Sequence, residues 1–246
     1  MNLIWQGSLF GDSERLLDIW PSLVKSPILT HFSWSPLITA AIAANAHIIH
    51  PALSNSIAFD FTPSFVPAPL SGLLAVHIRH GDFMGHCKHL ARWSSRFMGF
   101  NEFPGLPDRF SPPVVHSQGI ASPEEDARYL TRCFPNIEQL VSRVREVRAE
   151  LLPTTTLTRV YVLTNGRPWW LQKLKSSLQE DAQKEGVEEW EHIGTSRDLH
   201  LTDEQRHNSQ AVDMAVAQRA EVFIGNGVRR HVSFLSWVIP VAKGRC

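Results

Sequence analysis

Apolar residues in this chain fall into two kinds of pattern. In the first they form short runs: LLAVHIR at 73–79, RVYVLT at 159–164, WEHI at 190–193 and EVFIG at 221–225. Compact runs of this length bounded by turn-forming residues predict strands, the first of them buried. In the second pattern apolar residues recur every three or four positions. Ser122-Pro123-Glu124-Glu125 combines an N-cap, a proline at the first helical position and acids in the first turn, so a helix is expected to start there. It is expected to reach 133 and to resume from 135 to about 151, where Ile137, Leu140, Val141, Val144 and Val147 share one face. Residues 168–184 predict a helix with Trp170, Leu171, Leu174 and Leu178 inward, one of Trp169 and Trp170 packing and the other an exposed cover. Residues 203–220 predict another, with Ala211, Val212, Ala215 and Val216 inward.

Strand and helix therefore alternate from 73 to 225. That order predicts an α/β fold: a Rossmann-like parallel sheet with helices on both faces. Ahead of it the pattern is weaker. Residues 13–20 read as a short amphipathic helix stopped by Pro21, and 36–46 as an Ala-rich helix with proline in its first turn. Pro51, Pro63, Pro67 and Pro69 break the chain up to Leu70, and Pro104, Pro107, Pro112 and Pro113 punctuate an irregular stretch from 81 to 122. Loops of that length are usually functional or disordered. The expected division is an N-terminal helical and irregular segment at 1–70, a Rossmann-like domain at 71–227 and a tail at 228–246. No internal repeat is present.

Composition changes this picture little. The 246 residues carry no formal net charge, and 43% are apolar against 20% charged. Such a balance argues against nucleic acid as the main partner, so any anion recognition must come from local clustering. The longest apolar-rich stretches, 36–51 and 232–242, fall short of the roughly 20 residues needed to span a bilayer. No secretory signal pattern is expected from the first residues. Cysteines stand at 87, 133 and 246. A Cys87–Cys133 disulfide and three free thiols both remain open, and the odd count leans towards no disulfide framework.

Candidate chemistry concentrates where the first strand ends. His77, Arg79, His80, Gly81 and Asp82 lie at the carboxyl edge of the expected sheet, where open α/β folds bind ligands. Strand alternation puts His77 and Arg79 on one face. Gly81 permits a sharp turn and close approach of a ligand. A planar guanidinium beside backbone N–H groups suits a phosphate or diphosphate. Arg79, Lys88, Arg92 and Arg96 face a single acid, Asp82, so the local field is positive. Two other readings compete. Arg79 and Asp82 can form a structural ion pair, and His77, His80, His86, Cys87 and His89 are all metal-ligand types, although their spacing matches no closed zinc site. Thr164 and Asn165 end the second strand, where they either line a cleft or form a turn with Gly166. Asp213 reads equally as a nucleotide contact or a solvated helix acid.

Three stretches carry a resemblance. AVHIRHGDF at 75–83 followed by His86-Cys87, VYVLTNG at 160–166 and QAVDMAVAQRAEVFIGN at 210–226 together resemble the fungal branch of the protein O-fucosyltransferase-like family, over residues from about 16 to 227. The resemblance implies a GT-B glycosyltransferase of two Rossmann-like halves, with GDP-fucose held mainly by the C-terminal half. It places Arg79 at the donor β-phosphate as the catalytic residue, His77 beside it, and Asp213 near the guanine. Gly81, Asp82, Gly225 and Asn226 complete the donor site, and Thr164 and Asn165 border the cleft. It implies inverting transfer without a metal or other cofactor, a role in fucose metabolism, and secretory-pathway residence. Two departures bear on activity. Only about 70 residues precede the motif strand where the family has a whole half. Arg229 and Arg230 stand where it has a hydroxyl pair, and the tail beyond Val228 reads as a changed frame or splice junction. Donor binding is therefore expected above full catalysis, with a non-catalytic binding protein as the alternative. The acceptor is not legible.

Overall fold

The computed structural model describes residues 13–23, 25–54, 69–97, 110–113, 119–152 and 154–225. Its centre is a four-stranded sheet of β1 (Leu70–Ile78), β2 (Arg159–Thr164), β3 (His192–Thr195) and β4 (Ala220–Ile224). The strands lie in the order β3-β2-β1-β4, and every pair is parallel. β1 thus occupies the interior beside β2, the position of the first strand in a Rossmann-like half. The apolar run from Leu73 to Val76 that predicted β1 follows from this placement, because a central parallel strand is covered on both faces.

The helices are α1 (Ser13–Leu23), α2 (Pro27–Thr30), α3 (Pro36–Ala44), α4 (Ala46–Ile49), α5 (Met84–Arg92), α6 (Pro123–Cys133), α7 (Ile137–Leu151), α8 (Pro168–Lys184), α9 (Asp203–His207) and α10 (Ser209–Arg219). Alternate residues of β1 and β2 feed two cores. Leu74, Val76, Ile78, Val160 and Val162 pack with Val144 and Val147 of α7 and with Trp170, Leu171 and Leu174 of α8. Leu73, Ala75, Tyr161 and Leu163 pack with Ile38, Ala41 and Ile42 of α3 and with Val212, Ala215 and Val216 of α10. α3 and α4 therefore belong to one face of the sheet. A third, smaller cluster of Ala91, Phe110 and Tyr129 lies beside α5 and α6.

Local signals explain several boundaries. α6 opens with a full capping box: Glu125 N–H donates to Ser122 Oγ, and Ser122 N–H donates to the Glu125 carboxylate. Asn136 and Gln139 do the same for α7. β2 and α8 match the periodicity residue for residue. Trp170 is buried at 5% exposure while Trp169 is 63% exposed, so one ring packs and the other covers.

Elsewhere the structure departs from the sequence expectation. Pro21 does not stop α1, which continues to Leu23. A proline this close to a helix end removes one hydrogen bond and is absorbed. The helix expected at 36–46 breaks at Asn45, which is fully buried. Its carboxamide donates to the carbonyls of Ala41 and His200 and accepts from His200 N–H, so a tertiary link replaces local helix continuation. The helix expected at 203–220 is two helices separated at Asn208, and Ala220 already belongs to β4. β3 starts at His192, because Trp190 instead packs in the core under the Arg148 guanidinium, 4.2 Å from its ring centre. The irregular stretch after 81 contains α5. Because α5 packs on α6, Cys87 and Cys133 meet in a disulfide with Cα atoms 5.8 Å apart, which corrects the lean towards free thiols. Among the described residues no helix is long and apolar enough to cross a membrane.

α4 sits directly against β3. A Cβ added at Gly194 would lie 2.6 Å from the Ile48 carbonyl oxygen and 3.0 Å from its Cγ2. Backbone cannot yield as a side-chain tip can, so Gly194→Ala is expected to destabilise the fold by about 1–3 kcal/mol. Denaturant unfolding checks this; an unchanged midpoint would show that α4 is not seated on the strand.

Candidate functional site

The parallel register brings three strand ends together. Ile78 pairs with Thr164 and Val76 with Ile224, so Arg79, Asn165 and Gly225 all follow at the carboxyl edge. Val162 pairs with Thr195, which adds Ser196 and Arg197 to the same edge. Alternation along β1 gives His77 and Arg79 the face of Leu73 and Ala75, the face that α10 covers. His80 goes the other way. Its ring stacks between Phe134 and Trp170, with centroid distances of 4.4 and 3.9 Å. Desolvation there lowers its pKa and favours the neutral ring.

Asn165 organises the turn after β1. Its side-chain oxygen accepts from the N–H groups of His80 and Gly81, at 2.9 and 3.0 Å. Its amide nitrogen donates to Asp82 at 3.0 Å. The backbone N–H groups that the sequence suggested for a phosphate are thus used by Asn165. The space beside Gly81 is used as well, since a Cβ there would lie 2.9 Å from the Asn165 carbonyl and 3.0 Å from its side-chain nitrogen. Glycine is required at 81 for this close approach.

Arg79 remains accessible. Its guanidinium lies 3.5 Å from the Asp82 carboxylate, with side chains 49% and 69% exposed, and 5.0 Å from the Phe83 ring centre. Arg79 first and Asn165 second hold the Asp82 carboxyl below its ordinary range. The ion pair anticipated as a rival reading is therefore present, but it is open to solvent rather than closed in the interior. His77 is exposed, yet desolvation is the main cause that lowers its pKa, followed by Arg79.

Asp213 projects from α10 on the same sheet face. Tyr161 O–H donates to its Oδ1 at 2.9 Å, and Ser196 Oγ lies 2.9 and 2.8 Å from its two oxygens. Ser196 Oγ also accepts from Thr164 N–H at 2.9 Å. Burial raises the Asp213 carboxyl to about 6, while the Ser196 and Tyr161 bonds pull it down. The same burial, with the Asp213 charge, pushes the Tyr161 hydroxyl well up and keeps it a donor. Asp213 is thus neither a solvated helix acid nor a free group; it ties α10 to the ends of β2 and β3.

Other predicted site residues fall differently. Thr164 is buried, and its hydroxyl accepts from Gly166 N–H at 3.0 Å, on the face away from Arg79. Gly225 follows β4 beside the Phe223 ring. Asn226, Arg229 and Arg230 lie outside the described residues, as does the tail. The candidate metal ligands are dispersed: Cys87 is in the disulfide, His86 lies at a tilt against Phe83 and His89 at a tilt beside Trp93. Among the described residues no group of three or more His, Cys, Asp or Glu side chains could hold a metal ion.

Sequence reasoning missed Tyr161, Ser196 and Arg197. Arg197 is exposed, and its guanidinium donates to the Asn165 carbonyl at 3.2 Å. The usable signal was Thr195-Ser196-Arg197-Asp198, a polar turn that follows β3 as Thr164-Asn165-Gly166-Arg167 follows β2. Ending the strand at 193 hid it. Asp198 stabilises that turn by accepting from Thr195 N–H at 2.8 Å and from Lys175 at 2.6 Å.

The fold and this edge define an α/β protein with a Rossmann-like parallel sheet and a basic strand-end site. No protein-family model, curated protein or solved structure matches the chain.

Two outcomes follow from the geometry. Gly81→Ala is expected to displace Asn165 and disorder the 79–82 turn, seen as loss of amide hydrogen-exchange protection at His80 and Gly81; retained protection would mean that the turn does not need glycine. For Asp213 the folded pKa lies above the unfolded one, so folding binds extra protons between about pH 4 and 6. Its contribution therefore favours the folded state below that window and is lost as pH rises through it. Asp213→Asn should remove this slope, gaining on wild type by on the order of 2 kcal/mol from pH 4 to 7 after allowance for solvent. Urea midpoints across that range test it, and parallel pH curves would contradict it.

Proposed function

We propose that this chain is a nucleotide-sugar-binding protein of the O-fucosyltransferase type, its sheet corresponding to the donor-binding half of a GT-B glycosyltransferase. The observation that carries the reading is the half-exposed Arg79 at the carboxyl end of interior strand β1, on the same sheet face as His77 and Asp213. GDP-fucose is the donor that the resemblance names. Its diphosphate lies against Arg79, with His77 beside the nucleotide. Asp213 contributes to guanine recognition through its carboxylate, an acceptor group suited to two adjacent N–H donors.

In transfer, the bond between sugar C1 and the diphosphate oxygen breaks and its electron pair leaves with GDP. The acceptor hydroxyl bonds to C1 from the opposite face and its proton passes to solvent. Negative charge therefore grows on the diphosphate, where a preorganised guanidinium stabilises the transition state more than the ground state. Gly81 and Asp82 act by shaping the turn that carries Arg79. The Cys87–Cys133 disulfide is compatible with an oxidising compartment such as the secretory pathway.

A second reading, binding without transfer, is favoured by one observation: the Arg79 guanidinium already faces Asp82. Calorimetry with GDP, GDP-fucose and ADP separates the possibilities. The expected result is heat with both guanine nucleotides and little with ADP; none with either guanine nucleotide overturns the proposal. GDP release from GDP-fucose above the hydrolysis blank identifies a transferase. Arg79→Ala should then lower turnover by about 10²–10³-fold, equivalent to about 3–4 kcal/mol of barrier.

A further inference from the structure

Four residues at the strand ends form a continuous polar chain, one of its links through a main-chain carbonyl. Arg79 faces one oxygen of Asp82 at 3.5 Å, and the other oxygen of Asp82 accepts from Asn165 at 3.0 Å. The main-chain carbonyl of Asn165 accepts from Arg197 at 3.2 Å. Two guanidinium groups thus flank one asparagine, and a single exposed carboxylate lies on the side of Arg79.

Arg197 has the features of a ligand-facing cation. It is exposed, and a single contact to a carbonyl fixes one of its nitrogens. A guanidinium has five N–H donors, so most of its capacity remains to be used. Among the described residues it forms no ion pair. The acid next to it, Asp198, is committed to Lys175 and to the Thr195 N–H. Arg167, two residues past Asn165 and also exposed, adds to the same positive edge.

We propose that Arg197 is the second cation of a diphosphate site, and that Asp82 is the intramolecular anion that a diphosphate displaces from Arg79. This rests on the nucleotide-sugar reading and specifies how its site selects a diphosphate. Two guanidiniums on either side of Asn165 suit a ligand with two charged phosphoryl groups, whereas a monophosphate satisfies one of them. Asp82 offers Arg79 one carboxylate in an exposed setting, so its competition is weak and reversible. It holds the guanidinium at the strand end until a stronger anion arrives.

The two residues act with opposite signs, which makes the test selective. GDP and GMP are titrated calorimetrically into wild type, Arg197→Ala, Asp82→Asn and Arg79→Ala at low salt, with melting curves as folding controls. Wild type is expected to prefer GDP to GMP. Arg197→Ala should weaken GDP by about tenfold and GMP much less, narrowing the preference without a change in melting. Asp82→Asn should tighten GDP by up to about fivefold, a gain that damaged folding does not produce. GDP binding unchanged in Arg197→Ala but lost in Arg79→Ala overturns this inference alone, and weaker GDP binding in Asp82→Asn overturns the displacement role. Wild type that takes up neither nucleotide overturns both this inference and the function on which it rests.

Discussion

The carboxamide of Asn165 is the contact on which the candidate site depends. A parallel sheet leaves each strand end with peptide groups that have no neighbour to pair with. At the end of β1 those groups belong to His80 and Gly81, and the side chain of the residue that follows β2 satisfies both. The same residue holds Asp82 through its amide nitrogen and Arg197 through its backbone. Turns from three strands are thereby referenced to one residue. Glycine at 81 is the complement of this arrangement, since the two chains approach more closely than a Cβ allows.

The sheet divides labour between its faces. Residues 79 and 80 are neighbours in the chain, yet one opens towards the α10 side and the other is sandwiched by aromatic rings on the α8 side. The ring stack fixes the backbone from behind while the guanidinium stays in solvent. On the α10 side, the network of Tyr161, Asp213 and Ser196 performs the equivalent task for β3. Both devices place immobile packing next to an accessible charge, as preorganised recognition requires.

Much of the sheet was legible because its signals are local. The run at 159–164 and the helix at 168–184 needed only periodicity, and the capping boxes of α6 and α7 needed only neighbours three residues apart. The site was legible in part. Arg79 and His77 follow from alternation along one strand. The partners of Asn165, Asp213 and Asn45 lie far away in sequence and share no pattern with them, so a periodic reading could not find them. α5 was missed for a related reason. It is short and buries only Cys87 and Ala91, so it offers little apolar signal of its own, and it is held to α6 by a covalent bond.

That covalent bond has a topological effect. Cys87 and Cys133 are 46 residues apart, and each lies close in sequence to the aromatic stack, Cys133 being followed by Phe134. The bond ties α5 to α6 beside the small core of Ala91, Phe110 and Tyr129. Lengthening or shortening the chain between those two points would change the loop without moving its attachment. The geometry around Arg79 is thereby insulated from the length of that segment.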